Sequence, residues 1–153
     1  MASCSDHVVR LVECDSPDFA ALVSGLDEEL EDRYPGISTD GSTPAQDLLV
    51  VVVAYRGDAP VGCGALCELE QGVGEIKRMF VVPEARRLGA ARRMLEVLEA
   101  RGRALGNSAV RLGSGVRQPE ALALYESCGY CRIPLFGEYQ GGKLCVCYEK
   151  ALA

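Results

Sequence analysis

A strand ends and a helix begins within the segment Val81-Val82-Pro83-Glu84-Ala85-Arg86-Arg87-Leu88-Gly89-Ala90-Ala91-Arg92-Arg93-Met94. β-Branched residues precede the proline, and an apolar stripe at helical spacing follows from Leu88 to Leu105. Four arginines fall within eight residues of a chain whose net charge is −6. Free N–H groups and the helix dipole attract anions to a helix start. The segment is therefore either a phosphate cradle or a solvated basic helix start.

Outward from this segment, the sequence predicts the element order β-α-β-β-β-α-β-α-β-β. The predicted strands cover 8–14, 48–55, 61–69, 73–82, 110–112, 130–135 and 143–150. The predicted helices run from the Asp15-Ser16-Pro17 cap to Tyr34, from about 88 to 105, and from 119 to 128. A right-handed crossover makes strands 73–82 and 110–112 parallel neighbours, and hairpins make the other pairs antiparallel. We predict one mixed α/β (α+β) domain over 1–153, with a mostly antiparallel sheet of six to seven strands and flanking helices.

Composition excludes several classes of protein. The chain has 153 residues, of which 48% are hydrophobic and 25% charged, which is ordinary for a folded domain. The longest apolar run, 48–55, is too short to cross a bilayer. The first residues show no basic segment followed by a long apolar stretch, so nothing argues for a secretory signal. The net negative charge opposes binding to nucleic acid and is compatible with a cationic substrate such as an amine. We expect a cytoplasmic protein that binds neither nucleic acid nor membrane.

Cysteine is frequent, with eight residues in the chain. Cys128 and Cys131 form the one pair with the spacing of a zinc knuckle or redox motif, and His7 is the single histidine. Cys63 and Cys67 alternate with apolar residues in a predicted strand, which is typical of small core residues. We expect reduced structural thiols and no metal. A zinc or redox protein built on Cys128 and Cys131, with Cys145 and Cys147 nearby, is the alternative.

The strand-to-helix segment resembles the phosphate-binding turn of the GNAT superfamily, the acetyl-CoA-dependent N-acetyltransferases. The family pattern is Gln or Arg, two residues, Gly, one residue, then Gly or Ala, and it is matched by Arg86, Gly89 and Ala91. The strand ending Met79-Phe80-Val81-Val82-Pro83, the strand Val110-Arg111-Leu112 and the segment 118–130 follow in the family's order. The resemblance covers about residues 73–135.

This resemblance implies a GNAT-like fold and transfer of an acetyl group from acetyl-CoA to a primary amine of a small molecule or peptide. It implies a V-shaped gap between strands 73–82 and 110–115, a pantetheine arm paired with the first strand, and a pyrophosphate held by the amides of 87–92. The implied cofactor-binding residues are Phe80, Val81, Val82, Arg86, Arg87, Leu88, Gly89, Ala90, Ala91, Arg92 and Gln118. Arg87, Leu88 and Ala91 depart from commoner residues of the family. The departures at Arg87 and Leu88 leave open a non-catalytic module that binds or senses acyl-CoA.

Two residues are candidates for proton transfer. Tyr125 matches the position of the family's tyrosine that protonates the coenzyme A sulfur, although its helical spacing with Leu124 and Cys128 also suits simple packing. Glu75 opens the strand that leads to the cofactor, where relatives often use an acid as the base; a carboxylate on a strand surface is the alternative. We expect a backbone N–H near Val81 to polarise the thioester carbonyl.

The amine acceptor is expected among the first helix, the loop after it and the last hairpin, as in the family. The run Asp27-Glu28-Glu29-Leu30-Glu31-Asp32 either attracts a polyamine or is a solvated helix face. The segment 137–142 is either a mobile rim over the acceptor or a hairpin turn. Dimers are common in the family, and this resemblance is the sole basis for expecting a homodimer.

Overall fold

The computed structural model describes residues 7–37 and 43–152. Its strands are β1 (His7–Val12), β2 (Leu48–Arg56), β3 (Ala59–Glu70), β4 (Val73–Val81), β5 (Ala109–Gly115), β6 (Cys131–Ile133) and β7 (Cys145–Ala151). Its α-helices are α1 (Pro17–Arg33), α2 (Ala90–Ala104) and α3 (Pro119–Ser127). Short 3₁₀ turns cover Ala45–Asp47, Pro83–Ala85 and Gly137–Tyr139. The predicted order of strands and α-helices is confirmed.

One seven-stranded sheet has the order β1-β2-β3-β4-β5-β7-β6. The pairs are antiparallel except β4 and β5, which are parallel and joined by the crossover through α2. The predicted fold class, a mostly antiparallel sheet with one parallel crossover, is confirmed. Several strand ends differ from prediction. For example, β6 stops at Ile133 because Pro134 follows, β5 extends through the glycines to Gly115, and β1 covers His7–Val12 instead of 8–14.

The helices cover the two faces of the sheet. Leu95 and Leu98 of α2, with Tyr125 of α3, belong to a core cluster on one face. Phe19 and Leu22 of α1 pack in a separate cluster on the other face, with alternate residues of β2 and β3. Strand alternation explains the division, since successive side chains point to opposite faces. Among the residues described, no helix is long and apolar enough to span a membrane.

A bulge interrupts β4 halfway along its length. Ala65 pairs with Lys77 and Cys63 with Phe80, so β4 has one residue more than β3 between these pairs. Arg78 occupies the bulge with a φ of 60°, in the left-handed region. Pairing of β4 with β5 stops earlier, at Glu75 and Arg111. Beyond that point the two strands diverge.

Candidate active site

The diverging strands open a cleft of about 730 Å³ on the side of α1. Residues 76–79 of β4 and 112–115 of β5 form two of its walls. Leu26, Leu30 and Tyr34 of α1 form a third, and residues 138–145, before and at the start of β7, form the fourth. Gln118 and Tyr125 also line the cleft. It lies where the predicted V-shaped gap was expected.

The edge of β4 beyond the bulge carries a free donor. Val82 N–H donates to the Val61 carbonyl of β3 at 2.9 Å, so the alternation of an antiparallel ladder directs the polar groups of Val81 to the opposite edge. The Val81 carbonyl there accepts a hydrogen bond from Arg86 Nε at 2.9 Å. The Val81 N–H is left facing the gap, which is where the sequence predicted a polarising group.

The turn before α2 contains two residues with positive φ. Gly89 is the N-cap with a φ of 91°, and Arg87 two residues earlier has a φ of 67°. The first N–H groups of an α-helix have no partner inside the helix, so the turn can bind an anion through its backbone. The predicted cradle has the backbone form that the phosphate hypothesis requires.

Two of the four arginine side chains of this segment, those of Arg86 and Arg92, contact other elements. Arg86 forms an ion pair with Glu29 of α1 at 2.6 Å and lies 5.8 Å from the Phe80 ring centroid. Arg92 donates to Ser127 Oγ of α3 at 2.9 Å. Arg87 is exposed. Arg86 therefore fixes α1 against the turn, which leaves the backbone N–H groups and the exposed Arg87 as candidate anion donors.

Tyr125 is 7% exposed at the inner end of the cleft. Its ring packs against Tyr130 and Tyr148, with centroids 6.0 and 6.2 Å away. Burial raises the pKa of the Tyr125 phenol, which is therefore protonated at neutral pH. Its hydroxyl has no hydrogen-bond partner within the described ranges. Tyr125 therefore packs in the core and also borders the cleft.

Glu75 is 5% exposed and belongs to a buried polar cluster. Its carboxylate accepts a hydrogen bond from the Tyr139 hydroxyl at 2.9 Å and lies 3.7 Å from Lys77 Nζ. Lys77 also pairs with Glu138 at 2.6 Å. Burial raises the pKa of Glu75, and the Lys77 ammonium and the Tyr139 hydrogen bond oppose that rise. The surface-carboxylate alternative is therefore wrong for Glu75.

Glu75 reaches the cleft through Tyr139. Lys77 and Tyr139 line the cleft, whereas Glu75 lines a second cavity of about 620 Å³ behind them. A Cβ on Gly113 of β5 would lie 2.5 to 2.7 Å from three carbons of the Tyr139 ring. The ring thus lies directly on β5 while its hydroxyl reaches β4, and it bridges the two diverging strands.

Sequence reasoning did not assign a role to Tyr139 or Gly113. A signal was present in the alternating glycines at 113 and 115, which share one face of β5. Gly115 likewise leaves room for another ring, because a Cβ there would overlap the hydroxyl of Tyr34. Two glycines on one strand face indicate that side chains from elsewhere lie against the strand. Which rings these are depends on tertiary contacts.

The acidic run of α1 and the segment 137–142 differ in their position relative to the cleft. Glu29 of the acidic run pairs with Arg86, and its other four carboxylates are exposed and do not line the cleft. The run is a solvated face of α1, as one of the two interpretations held. The segment 137–142 starts with a 3₁₀ turn, and its residues 138–142 line the cleft, so it is a rim by position.

The cysteines have mainly packing roles in the residues described. Cys63, Cys67 and Cys147 are buried, and burial raises the pKa of Cys63 to about 12. Cys131 is exposed and Cys128 half-buried. Within 7–37 and 43–152, no three His, Cys, Asp or Glu side chains are grouped to hold a metal ion. Cys4 lies outside the described residues.

Comparison with known proteins identifies the class as acetyltransferases. The sequence model of the Acetyltransferase (GNAT) family matches residues 10–130. The IAA acetyltransferase of Azospirillum brasilense is 42% identical over 135 residues, covering 86% of this chain and 88% of that protein. The chain therefore belongs to the GNAT family and is a GNAT-type N-acetyltransferase.

Solved structures agree with this assignment. A Klebsiella pneumoniae structure assigned to the acyl-CoA N-acyltransferases superposes with a TM-score of 0.83 at 30% identity, covering 96% of this chain and 98% of the other. YncA of Salmonella typhimurium, solved with its cofactor acetyl-CoA, has the same fold, with a TM-score of 0.70 at 16% identity and coverage of 97% and 95%. The GNAT family uses acetyl-CoA as its acyl donor.

Proposed function

We propose that this protein transfers the acetyl group of acetyl-CoA to a primary amine of a small molecule or peptide, by direct attack in a ternary complex. One observation carries the proposal: a single cleft between β4 and β5 contains a buried phenol, Tyr125, and a second phenol, Tyr139, that is hydrogen-bonded to the carboxylate of Glu75. Acetyl transfer to an amine requires both a proton donor and a proton acceptor.

The donor would bind along β4 and the start of α2. The edge of β4 at Phe80, Val81 and Val82 would pair with the pantetheine arm, and the N–H groups of residues 87–92 would hold the pyrophosphate. The left-handed Gly89 and the unpartnered first turn of α2 suit this ligand. The Val81 N–H then lies on the edge where it can polarise the thioester carbonyl. Gln118, at the start of α3, lines the same cleft.

Tyr125 supplies the proton for the leaving thiolate in this proposal. The amine nitrogen bonds to the thioester carbon, the carbon–sulfur bond breaks, and the sulfur takes the phenolic proton. Burial raises the pKa of Tyr125, which makes it a weaker acid. The same burial penalises a thiolate, so the pKa of the leaving thiol rises as well and the proton transfer is kept feasible.

Glu75 acts as the base through Tyr139. As the amine loses its proton to the phenolic oxygen of Tyr139, the phenolic proton moves along the 2.9 Å hydrogen bond to Glu75. Burial raises the pKa of Glu75, which brings it closer to that of a useful general base. The Lys77 ammonium lowers the pKa of Glu75, which favours the ionised carboxylate that accepts the proton.

Among the residues that the structure describes, Cys145 is the cysteine on the cleft wall, and its environment disfavours a covalent acetyl-enzyme. Cys145 lines the cleft, but burial raises the pKa of its thiol, so the thiolate needed for attack is suppressed. We therefore assign direct attack. A cytoplasmic location and a homodimer stay predictions from the sequence.

Tyr125→Phe tests the mechanism. We expect kcat to fall by about 10² to 10⁴, the usual contribution of a positioned acid, with little change in the acetyl-CoA Kd measured by calorimetry. Tyr55→Phe is the matched control, because it loses a hydroxyl bonded to Asp18 away from the cleft. Acetylated product is followed by mass spectrometry, since eight cysteines interfere with thiol reagents. An unchanged kcat would exclude Tyr125 as the acid, and no acetyl-CoA binding at millimolar concentration would exclude the function.

A further inference from the structure

Arg78 places a positive charge on the wall of the cleft at a strained backbone position. It is the bulged residue of β4 and has a φ of 60°, which costs a residue other than glycine about 1 to 2 kcal/mol. A bulge next to a site redirects a side chain, and such strain concentrates where function requires it. Arg78 lines the cleft directly.

The other charges of the cleft do not neutralise this arginine. Lys77 lies between Glu138 and Glu75, at 2.6 and 3.7 Å, so its charge is balanced locally. Arg78 donates one hydrogen bond to the neutral Thr43 carbonyl at 3.0 Å, and no carboxylate of the described residues forms an ion pair with it. Lys143, which is exposed on the fourth wall, adds a further positive charge.

The rest of the lining is apolar toward α1. Leu26, Leu30, Ile37 and Leu144 line the cleft, while the acidic run of α1 is exposed outside it or paired with arginine. A polycation would therefore meet Arg78, Lys143 and hydrocarbon in the cleft, where the carboxylate of Glu138 is already paired with Lys77. An acceptor with an apolar body and an anionic group fits these walls better, because a guanidinium binds a carboxylate through charge-assisted hydrogen bonds.

We propose that the acceptor is an apolar amine that also carries a carboxylate, and that Arg78 binds this carboxylate. The amine then points toward Tyr139, and the hydrocarbon part packs against α1. This inference rests on the proposed acetyl transfer for its chemistry, but carboxylate binding by Arg78 is testable without turnover.

Two matched pairs of acceptors test the proposal: phenylalanine against 2-phenylethylamine, and 6-aminohexanoate against hexylamine. In at least one pair, we expect the carboxylate to raise kcat/KM by about ten-fold or more. Arg78→Asn should abolish this preference by lowering kcat/KM of the carboxylate member alone. Asparagine tolerates the left-handed backbone, so the variant removes the charge and keeps the bulge. Arg78→Lys should retain part of the preference.

Calorimetry gives a readout that does not depend on catalysis. N-acetylphenylalanine should bind the wild-type protein about ten-fold more tightly than N-(2-phenylethyl)acetamide, and Arg78→Asn should bind both equally. Equal kcat/KM within both acceptor pairs, or equal binding of the two products, would overturn the proposal. So would weaker acetyl-CoA binding by Arg78→Asn, because Arg78 would then serve the donor. Failure of every amine to be acetylated would instead count against the proposed function.

Discussion

Gly113→Ala tests whether Tyr139 must lie directly on β5 for the enzyme to work. The added methyl group would stand 2.5 to 2.7 Å from three carbons of the Tyr139 ring, where ordinary carbon contacts are about 3.5 to 4.0 Å. Either the β5 backbone at residue 113 or the Tyr139 ring must therefore move by about 1 Å. Gly113 is held in the ladder by its pairing with Cys147 of β7, whereas Tyr139 lies in a 3₁₀ turn outside the sheet. The ring is the part that gives way.

Two costs follow from this displacement. Overpacking costs about 1 to 3 kcal/mol, and the lower end applies because the ring can move with its turn. A hydrogen bond to a charged group contributes about 1.5 to 3 kcal/mol, and moving the ring withdraws it from the buried carboxylate of Glu75. We expect the free energy of unfolding to fall by about 2 to 4 kcal/mol in total. If Tyr139 carries the amine proton, kcat falls by about 10² or more.

The assay compares urea unfolding, kcat and the acetyl-CoA Kd for Gly113→Ala, Tyr139→Ala and the double variant. Once the ring is gone, the methyl group meets no obstacle from it, so the second substitution should add little to either the stability loss or the kcat loss. Gly102→Ala is the matched control. A Cβ on Gly102, in α2, meets its neighbours at 3.4 Å or more, so this change should stabilise the protein by about 0.5 to 1 kcal/mol.

Additive losses in the double variant would refute this reasoning, because they would mean that Gly113 and Tyr139 act independently. A Gly113→Ala protein with wild-type kcat would refute the relay itself, since a ring pushed off β5 cannot keep its 2.9 Å hydrogen bond to Glu75.

Two further predictions concern charge and backbone strain. Arg87→Gly should be more stable than Arg87→Ala by about 1 kcal/mol in urea unfolding. Both variants lose the charge, but only glycine adopts the left-handed φ of 67° without strain. Equal stabilities of the two variants would show that the turn is unstrained. Lys77→Met should move the acidic limb of the kcat/KM pH profile to higher pH, because the ammonium lowers the pKa of Glu75 and a base must be ionised to act. An acidic limb that does not move would exclude Glu75 as the titrating group. An unchanged acetyl-CoA Kd would show that the fold of the variant is intact.

The fold was predictable because its signals are local. The alternation of β3, the apolar run of β2 and the apolar stripe of α2 each identify an element within a short window, and Ser16 with Pro17 marks the start of α1. The right-handed crossover then leaves one arrangement for β4 and β5. Strand ends were less exact, as at β5, which continues to Gly115 because Cys145 of β7 pairs with it there.

The site was predictable only in part, because its chemistry depends on contacts between distant segments. The position of Tyr125 follows from the local pattern of α3 and the family resemblance. The burial of Glu75 does not, since it arises from Lys77 on the same strand and from Tyr139, 64 residues further along the chain. Likewise, the pairing of Arg86 with Glu29 of α1 is invisible in the turn's own sequence.

Arg78 and Arg87 are the two residues other than glycine with positive φ among those described, and both border the proposed ligand positions. Glycine would satisfy either backbone without strain, so local preference alone does not account for arginine there. Residues that break local rules are expected at functional sites, where a gain elsewhere offsets the cost. The gain inferred here is charge: Arg87 stands beside the turn proposed for the donor's pyrophosphate, and Arg78 stands on the wall proposed for the acceptor's carboxylate. If both proposals hold, the strain at each position is the stability cost of setting a cation where each substrate carries an anion.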